Sequence, residues 1–310
     1  LGLAGGGTDI ADYSSRYGGA VINATIARYA HATIEPLDNG MIEMHSRCRG
    51  ISTTYPSQEF LDVGDNQELL IGVYNRIVRD FVKKPLSFRL TTYCDAPPGS
   101  GLGSSSTLVV AIIGAFHEWL NIPLGRYELA NLAYDIERVD LGISGGKQDQ
   151  FAAAFGGINF MEFNRDGSVL VNPLRVKREV VNELENNLVI LYTSVSRYSA
   201  DIIEDQRRHV IQEDQDRIQA LHEVKDAAYE VKKGILTADL DHVGKVIGST
   251  WESKKRSSDK ITNPMLDEIM DKAVKAGALG GKISGAGGGG FMMLYCPDVA
   301  RYKVINALQD

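Results

Sequence analysis

The sequence predicts a two-domain protein that mixes strands with helices. Three observations carry this expectation: 310 residues of which 44% are hydrophobic, strand-type and helix-type periodicities that alternate along the chain, and a change of character beyond about Pro173. A single core rarely grows past about 250–300 residues, so a chain this long and this apolar divides. The boundary is expected at 175–185, giving domains of 1–180 and 181–310.

Taken in order, the chain opens at Leu1, without Met, inside what reads as a strand entering a glycine turn, so residues upstream are expected. From Ala20 to Glu35 apolar and polar residues alternate, then Asp38-Asn39-Gly40 makes a turn before Met41–His45, the signature of a hairpin. Leu69, Leu70, Val73, Ile77, Val78 and Phe81 recur at three- and four-residue steps on one helical face. Leu86–Cys94 reads as a strand, and after a glycine segment Leu108, Ile112, Phe116 and Leu120 share the face of a helix. Tyr127–Asp140 reads as another helix, followed by the glycine turn 142–146 and by Gln148-Asp149-Gln150-Phe151. Gly157–Phe163 and Val169–Val171 flank Asn164-Arg165-Asp166-Gly167 as a second hairpin. Beyond Pro173 come a strand at Leu188–Tyr192, one charged helical stretch over about 200–233, helices near 240–254 and 264–276, and a strand from Phe291 to Cys296.

Composition narrows the function classes. A net charge of −7 argues against a general nucleic-acid surface, which needs a basic face. Cys48, Cys94 and Cys296 are few, odd in number and without a C-x-x-C pair, which suits a reducing compartment and no disulfide framework. The longest apolar run, around Leu108–Phe116, falls short of the roughly 20 residues that span a membrane. No charged stretch precedes an apolar one at the start, so no signal peptide is expected. His31, His45, His117, His209, His222 and His242 lack metal-ligand spacing and read as structural or surface residues.

Three glycine-rich segments stand out: Leu1–Asp9, Pro97–Ser106 and Lys282–Gly290. Glycine lets backbone amides crowd around an anion, at a conformational cost of roughly 0.5–1 kcal/mol each relative to Ala. The second segment lies between a strand and a helix, where free amides and the helix dipole favour phosphate. It has neither the Gly-Lys-Ser/Thr ending of a Walker loop nor the G-x-G-x-x-G spacing of a dinucleotide site. The alternative is a glycine-rich helix cap with no ligand.

Pro97-Pro98-Gly99-Ser100-Gly101-Leu102-Gly103-Ser104-Ser105-Ser106 resembles the phosphate loop of the GHMP small-molecule kinases, the family of galactokinase, homoserine kinase, mevalonate kinase and phosphomevalonate kinase. The other two segments resemble that family's first and third motifs in order and spacing. The resemblance implies an α+β, two-domain fold, with an N-terminal domain like the second domain of ribosomal protein S5 and a ferredoxin-like C-terminal domain. It implies ATP and Mg²⁺ as cofactors, with Pro98, Gly99, Ser100, Gly101, Leu102, Gly103, Ser104, Ser105 and Ser106 around the nucleotide phosphates. Segments 1–9, 18–26 and 142–150 are most similar to kinases of D-glycero-D-manno-heptose 7-phosphate, with fucose kinases next. The implied reaction is transfer of phosphate to the anomeric hydroxyl, supplying activated heptose for a bacterial surface glycan from the cytoplasm.

The resemblance assigns roles residue by residue. Asp149 matches the family's base, with Lys147 nearby to keep it ionised. On residues alone, an Asp capping a helix that starts at Gln150 is the alternative. Glu137 matches the acidic magnesium ligand once one residue of insertion is allowed, with Ser105 as the second ligand; on spacing alone it reads as a solvated helix charge. Thr8 and Asp9 match sugar-contacting positions, against a turn or cap. Galactokinases carry Glu-His before that Thr-Asp and this chain carries Gly6-Gly7, which argues against plain galactose. Gly287 and Gly288 would pass close to substrate; the alternative is a tight helix-to-strand connection. A sugar phosphate calls for a cation clamp, and Arg197 is the first choice, ahead of Arg16, Arg28 and Lys255. The Arg that precedes the first motif in the family would lie upstream of Leu1. Partners are then a sugar phosphate and ATP, with no nucleic acid and no membrane. A homodimer is compatible with the sequence, which does not fix the oligomeric state. A non-catalytic sensor of the same fold is the rival from another class.

Overall fold

The computed structural model describes residues 1–64, 67–97, 99–194 and 199–309. The first half carries β1 (Gly2–Ala4), α1 (Ala11–Tyr17), β2 (Gly19–Ala24), β3 (Ala30–Pro36), β4 (Met41–Ser46), β5 (Ile51–Pro56), α2 (Glu68–Ile77), β6 (Phe88–Cys94), α3 (Ser104–Leu120) and α4 (Arg126–Asp135). The second carries α5 (Gln148–Phe155), β7 (Ile158–Phe163), β8 (Val169–Pro173), α6 (Arg178–Asn187), β9 (Leu188–Tyr192), α7 (Ser199–Ile211), α8 (Gln215–Thr237), α9 (Leu240–Ser257), α10 (Pro264–Lys275), β10 (Gly280–Ile283), β11 (Phe291–Tyr295) and α11 (Ala300–Ala307). Helices α2 and α4 each run on into one π-helical turn, Val78–Val82 and Ile136–Asp140. Among the described residues no helix is long and apolar enough to cross a membrane.

The chain folds as two compact units that interleave in sequence. Unit I comprises Leu1–Thr25, Gly99–Leu102 and Gly156–Asp310, and unit II comprises Ile26–Pro98 and Gly103–Phe155. Within the second glycine segment, Gly99–Leu102 thus belong to unit I and Gly103–Ser106 to unit II.

Unit II is a four-stranded sheet of order β3-β6-β4-β5 with helices on it. Its core takes Ile42, Met44, Phe88 and Leu90 from the sheet, Leu70, Val73 and Ile77 from α2, and Val109, Ile112 and Phe116 from α3. Each such side chain, fully buried, contributes about 1.5–3 kcal/mol. Ile112 and Phe116 are the centre of the apolar face read from the sequence, and Leu108 and Leu120 flank it, half-buried.

The hairpin expected at Asp38–Gly40 is not formed, because β3 and β4 do not pair. Strand β6 lies between them, antiparallel to β3 and parallel to β4, and β4 makes its antiparallel pair with β5. A turn signal fixes a chain reversal but not adjacency. The central place goes to β6, whose alternate residues Phe88, Leu90 and Thr92 are buried.

Unit I holds two sheets, β1-β2-β7-β8 and β10-β11-β9, every pairing antiparallel. Helices α8 and α9 share a core with them, built from Leu3, Ile22, Phe160, Val231, Ile247, Met293 and Tyr295. The hairpin expected around Asn164–Gly167 forms, joining β7 to β8 with Phe163 opposite Val169. The charged stretch read as one helix is two. Glu213 turns left-handed at φ 58, and the Asp214 carboxylate accepts from Arg217 N at the start of α8.

Candidate active site

In unit II the site is built on the first turn of α3. Gly103 caps that helix at φ 69, a left-handed conformation that L side chains rarely adopt. A Cβ there would stand 2.9 Å from Asp149 Cγ, so the missing side chain is the space the carboxylate occupies. Asp149 itself is the second residue of α5, which begins at Gln148, so it lies inside the first turn rather than at a cap before Gln150. Lys147, just before, lays its ammonium 5.0 Å from the centre of the Tyr134 ring.

Ser105 Oγ donates to Glu137 Oε1 at 2.9 Å. Gln150 Nε2 donates to the other carboxylate oxygen at 2.5 Å and to Ser106 Oγ at 3.1 Å. Glu137 is 1% exposed, which removes the solvated reading that spacing alone allowed. It sits on the π-helical turn after α4, a distortion frequent at functional sites. Arg138 lies 3.8 Å from the same carboxylate and donates to Ile143 O and Gly146 O, holding the turn that leads to Asp149.

In unit I the remainder of the glycine segment meets the third one. Phe291 N donates to Ser100 O at 3.2 Å and Ser284 Oγ to Gly101 O at 3.0 Å. Gly290, at φ 87, has Ser100 O 2.4 Å from where its Cβ would be, so any larger residue must part the two segments. Ser100 is buried, and its Oγ has no partner among the described residues. An orphaned buried hydroxyl costs stability unless a ligand completes it.

The first segment is buried as well. Thr8 Oγ1 donates to Gly5 O at 2.8 Å and accepts from Ala20 N at 3.1 Å, so its hydroxyl is committed to the backbone of the first segment and of β2. Asp9 is 1% exposed and accepts from Gly7 N at 3.0 Å. Gly287 and Gly288 pack on Ile261, whose carbonyl accepts from Gly288 N at 2.7 Å.

Pro98 of the phosphate loop and Arg197, the first clamp candidate, lie outside the described residues. Arg16 is paired with Glu213 and donates to Val210 O; Lys255 is paired with Glu252 and Asp267; Arg28 is exposed.

Sequence reasoning passed over Gln150 and two buried lysines. Lys282 Nζ donates to Gly2 O at 2.8 Å and Lys254 Nζ to Gly285 O at 2.7 Å, anchoring the first and third segments. Burial, then repulsion from Lys254, pushes the Lys282 ammonium well below its usual range. The signal available for Lys282 was a charge between Gly281 and Ile283 in an otherwise apolar strand; Gln150 gave none.

Two family models match the chain, the GHMP kinases N terminal domain over residues 68–157 and the GHMP kinases C terminal domain over 231–310. A D-glycero-alpha-D-manno-heptose 7-phosphate kinase of Campylobacter jejuni is 47% identical over 309 residues, covering 100% of this chain and 91% of that protein. The crystal structure of a D-glycero-D-manno-heptose 1-phosphate kinase from Bacteroides thetaiotaomicron superposes with a TM-score of 0.84 at 44% identity, covering 100% of this chain and 90% of that one. Mevalonate kinase of Methanococcus jannaschii shares the fold, with a TM-score of 0.74 at 19% identity over 100% of this chain and 92% of its own. With a relative this similar along its whole length and a family model on each half, the chain belongs to the GHMP kinases, two-domain α+β enzymes that transfer phosphate from ATP to an alcohol.

Proposed function

We propose that this kinase phosphorylates the anomeric hydroxyl of D-glycero-D-manno-heptose 7-phosphate, giving the 1,7-bisphosphate, in the cytoplasm where ATP is supplied. The substrate rests on the 47% identity to a heptose 7-phosphate kinase along the whole chain. The chemistry rests on one observation: Ser105, the buried Glu137 carboxylate and the Asp149 carboxylate gather around the first turn of α3.

Gly99–Ser106 bind the nucleotide phosphates through backbone amides and serine hydroxyls, and the unpartnered Ser100 Oγ fits such an acceptor. Ser105 Oγ and Glu137 fit Mg²⁺, which takes oxygen donors and needs only one or two from the protein when it bridges nucleotide phosphates. Their oxygens lie 2.9 Å apart, and among the described residues no larger acidic or His/Cys cluster competes. When bound, the ion neutralises charge on the phosphoryl group. Asp149 holds the acceptor hydroxyl and takes its proton, with Lys147 favouring the ionised carboxylate. Asp9 accepts hydrogen bonds from sugar hydroxyls, while Thr8 shapes the segment that carries it; Gly287 and Gly288 allow backbone to approach the substrate. Arg197 is the proposed clamp for the distal phosphate. Phosphoryl transfer has a loose transition state, so positioning and charge neutralisation outweigh the base.

A coupled assay of ADP release over paired free and phosphorylated sugars tests the reading. Turnover with heptose 7-phosphate far above that with free heptose or L-fucose supports it. Preference for a free sugar moves the reading to another anomeric kinase, and no sugar-dependent release moves it to a sensor.

A further inference from the structure

Cys48 and Cys94 are 46 residues apart in sequence and adjacent in unit II. Strands β4 and β6 run parallel with Ser46 opposite Thr92, and Arg47 N donates to Thr92 O at 3.0 Å just beyond the strand end. Cys48 lies in the turn that follows β4, and its side chain reaches across to Cys94 at the end of β6. The Cys48 sulfur accepts from Cys94 N at 2.7 Å and donates to Cys94 O at 3.2 Å, so it lies directly on its neighbour's backbone.

The two thiols are unequal. Cys48 is exposed and meets solutes first, whereas Cys94 is half-buried. Burial, then the nearby Cys48 sulfur and its hydrogen bond, push the Cys94 thiol up to about 11. Cys296 is buried in unit I and lies in no such pair among the described residues.

We infer that Cys48 and Cys94 form an oxidative modification site, at which a peroxide converts the exposed thiol and its neighbour into an intramolecular disulfide. In the first step Cys48 sulfur attacks one peroxide oxygen, the O–O bond breaks, and a sulfenic acid and water form. In the second, Cys94 sulfur attacks the sulfenic sulfur, the S–S bond forms, the S–O bond breaks, and the Cys94 proton leaves with hydroxide as a second water. Two thiols and one hydrogen peroxide thus give one disulfide and two waters. A dithiol reductant returns the pair to two free thiols by thiol–disulfide exchange, becoming a disulfide itself. Cys94 ends β6, nine residues before Gly103, so the cross-link ties the turn after β4 to the strand that feeds the phosphate loop.

The test does not depend on the kinase reading, because it is read by mass. The folded full-length chain is treated with a slight excess of hydrogen peroxide, alkylated, digested without reductant and analysed by mass spectrometry. The expected result is a Cys48 peptide joined to a Cys94 peptide, restored to free thiols by dithiothreitol, with Cys296 alkylated only after unfolding. In Cys94→Ser the linkage is absent and dimedone captures Cys48 as the sulfenic acid, whereas wild type shows little dimedone adduct. Equal dimedone capture in both proteins, Cys94 still alkylatable after Cys48 is oxidised, or linkage only between separate chains would each overturn the proposal.

Discussion

A Cβ on Gly103 would stand 2.9 Å from Asp149 Cγ and 3.0 Å from Oδ1. The cap of α3 and the carboxylate at the start of α5 thus touch only because residue 103 has no side chain. In Gly103→Ala the new methyl must displace the carboxylate while the backbone is held at φ 69. A displacement of about 1 Å in a reacting group costs on the order of 100-fold. We expect kcat/KM to fall by about that factor with the circular dichroism spectrum unchanged. Activity within twofold of wild type would show that the carboxylate's position is unimportant.

Asp149→Asn keeps the shape and removes the proton acceptor. Turnover should fall by about 10²–10⁴-fold, the range general bases supply, while nucleotide affinity measured by calorimetry stays near wild type. Equal turnover in both proteins would remove Asp149 from the chemistry.

Glu137 accepts one hydrogen bond on each carboxylate oxygen, from Ser105 and from Gln150. Glu137→Gln supplies one acceptor oxygen in place of two, leaving a buried donor unmatched at a cost of about 1–3 kcal/mol. The melting temperature should drop, and the Mg²⁺ concentration for half-maximal rate should rise by at least the roughly 10–100-fold that follows loss of a metal's supporting partners. An unchanged Mg²⁺ titration would place the ion elsewhere.

Lys282 is buried with its folded-state pKa depressed below 10.5. Between that depressed value and 10.5 the unfolded chain binds more protons than the folded one, so stability rises with pH across the window. The contribution is complete above 10.5 and is lost as pH falls through the folded value. Lys282→Met abolishes this term. The wild-type melting temperature should therefore gain on that of the variant as pH rises from neutral toward 10.5. Parallel curves would mean that the ammonium is solvated in the folded protein.

What could be read in the sequence was what neighbouring residues decide. The glycine loop, the face of α3 around Ile112 and Phe116, and the β7–β8 hairpin at Asn164–Gly167 follow from local backbone preference and periodicity. Pairing across the sheet does not, which is why β6 enters between β3 and β4 despite a good turn at Asp38–Gly40. The same division runs through the candidate site. Asp149 and Glu137 were marked by their resemblance to family motifs. Gln150 was not, since its bonds to Glu137 and Ser106 span 13 and 44 residues and exist only once α3, α4 and α5 are packed. Lys282 and Lys254 escaped for a related reason: burial of an ammonium against Gly2 O or Gly285 O leaves no periodic trace.

The central claim is tested most directly by ³¹P nuclear magnetic resonance of the product formed from heptose 7-phosphate, ATP and Mg²⁺. The account requires a second sugar phosphate resonance coupled to the anomeric proton, beside the retained 7-phosphate signal, with ADP formed in equal amount. ADP without a new sugar phosphate, or a phosphate coupled to any other ring position, would contradict it.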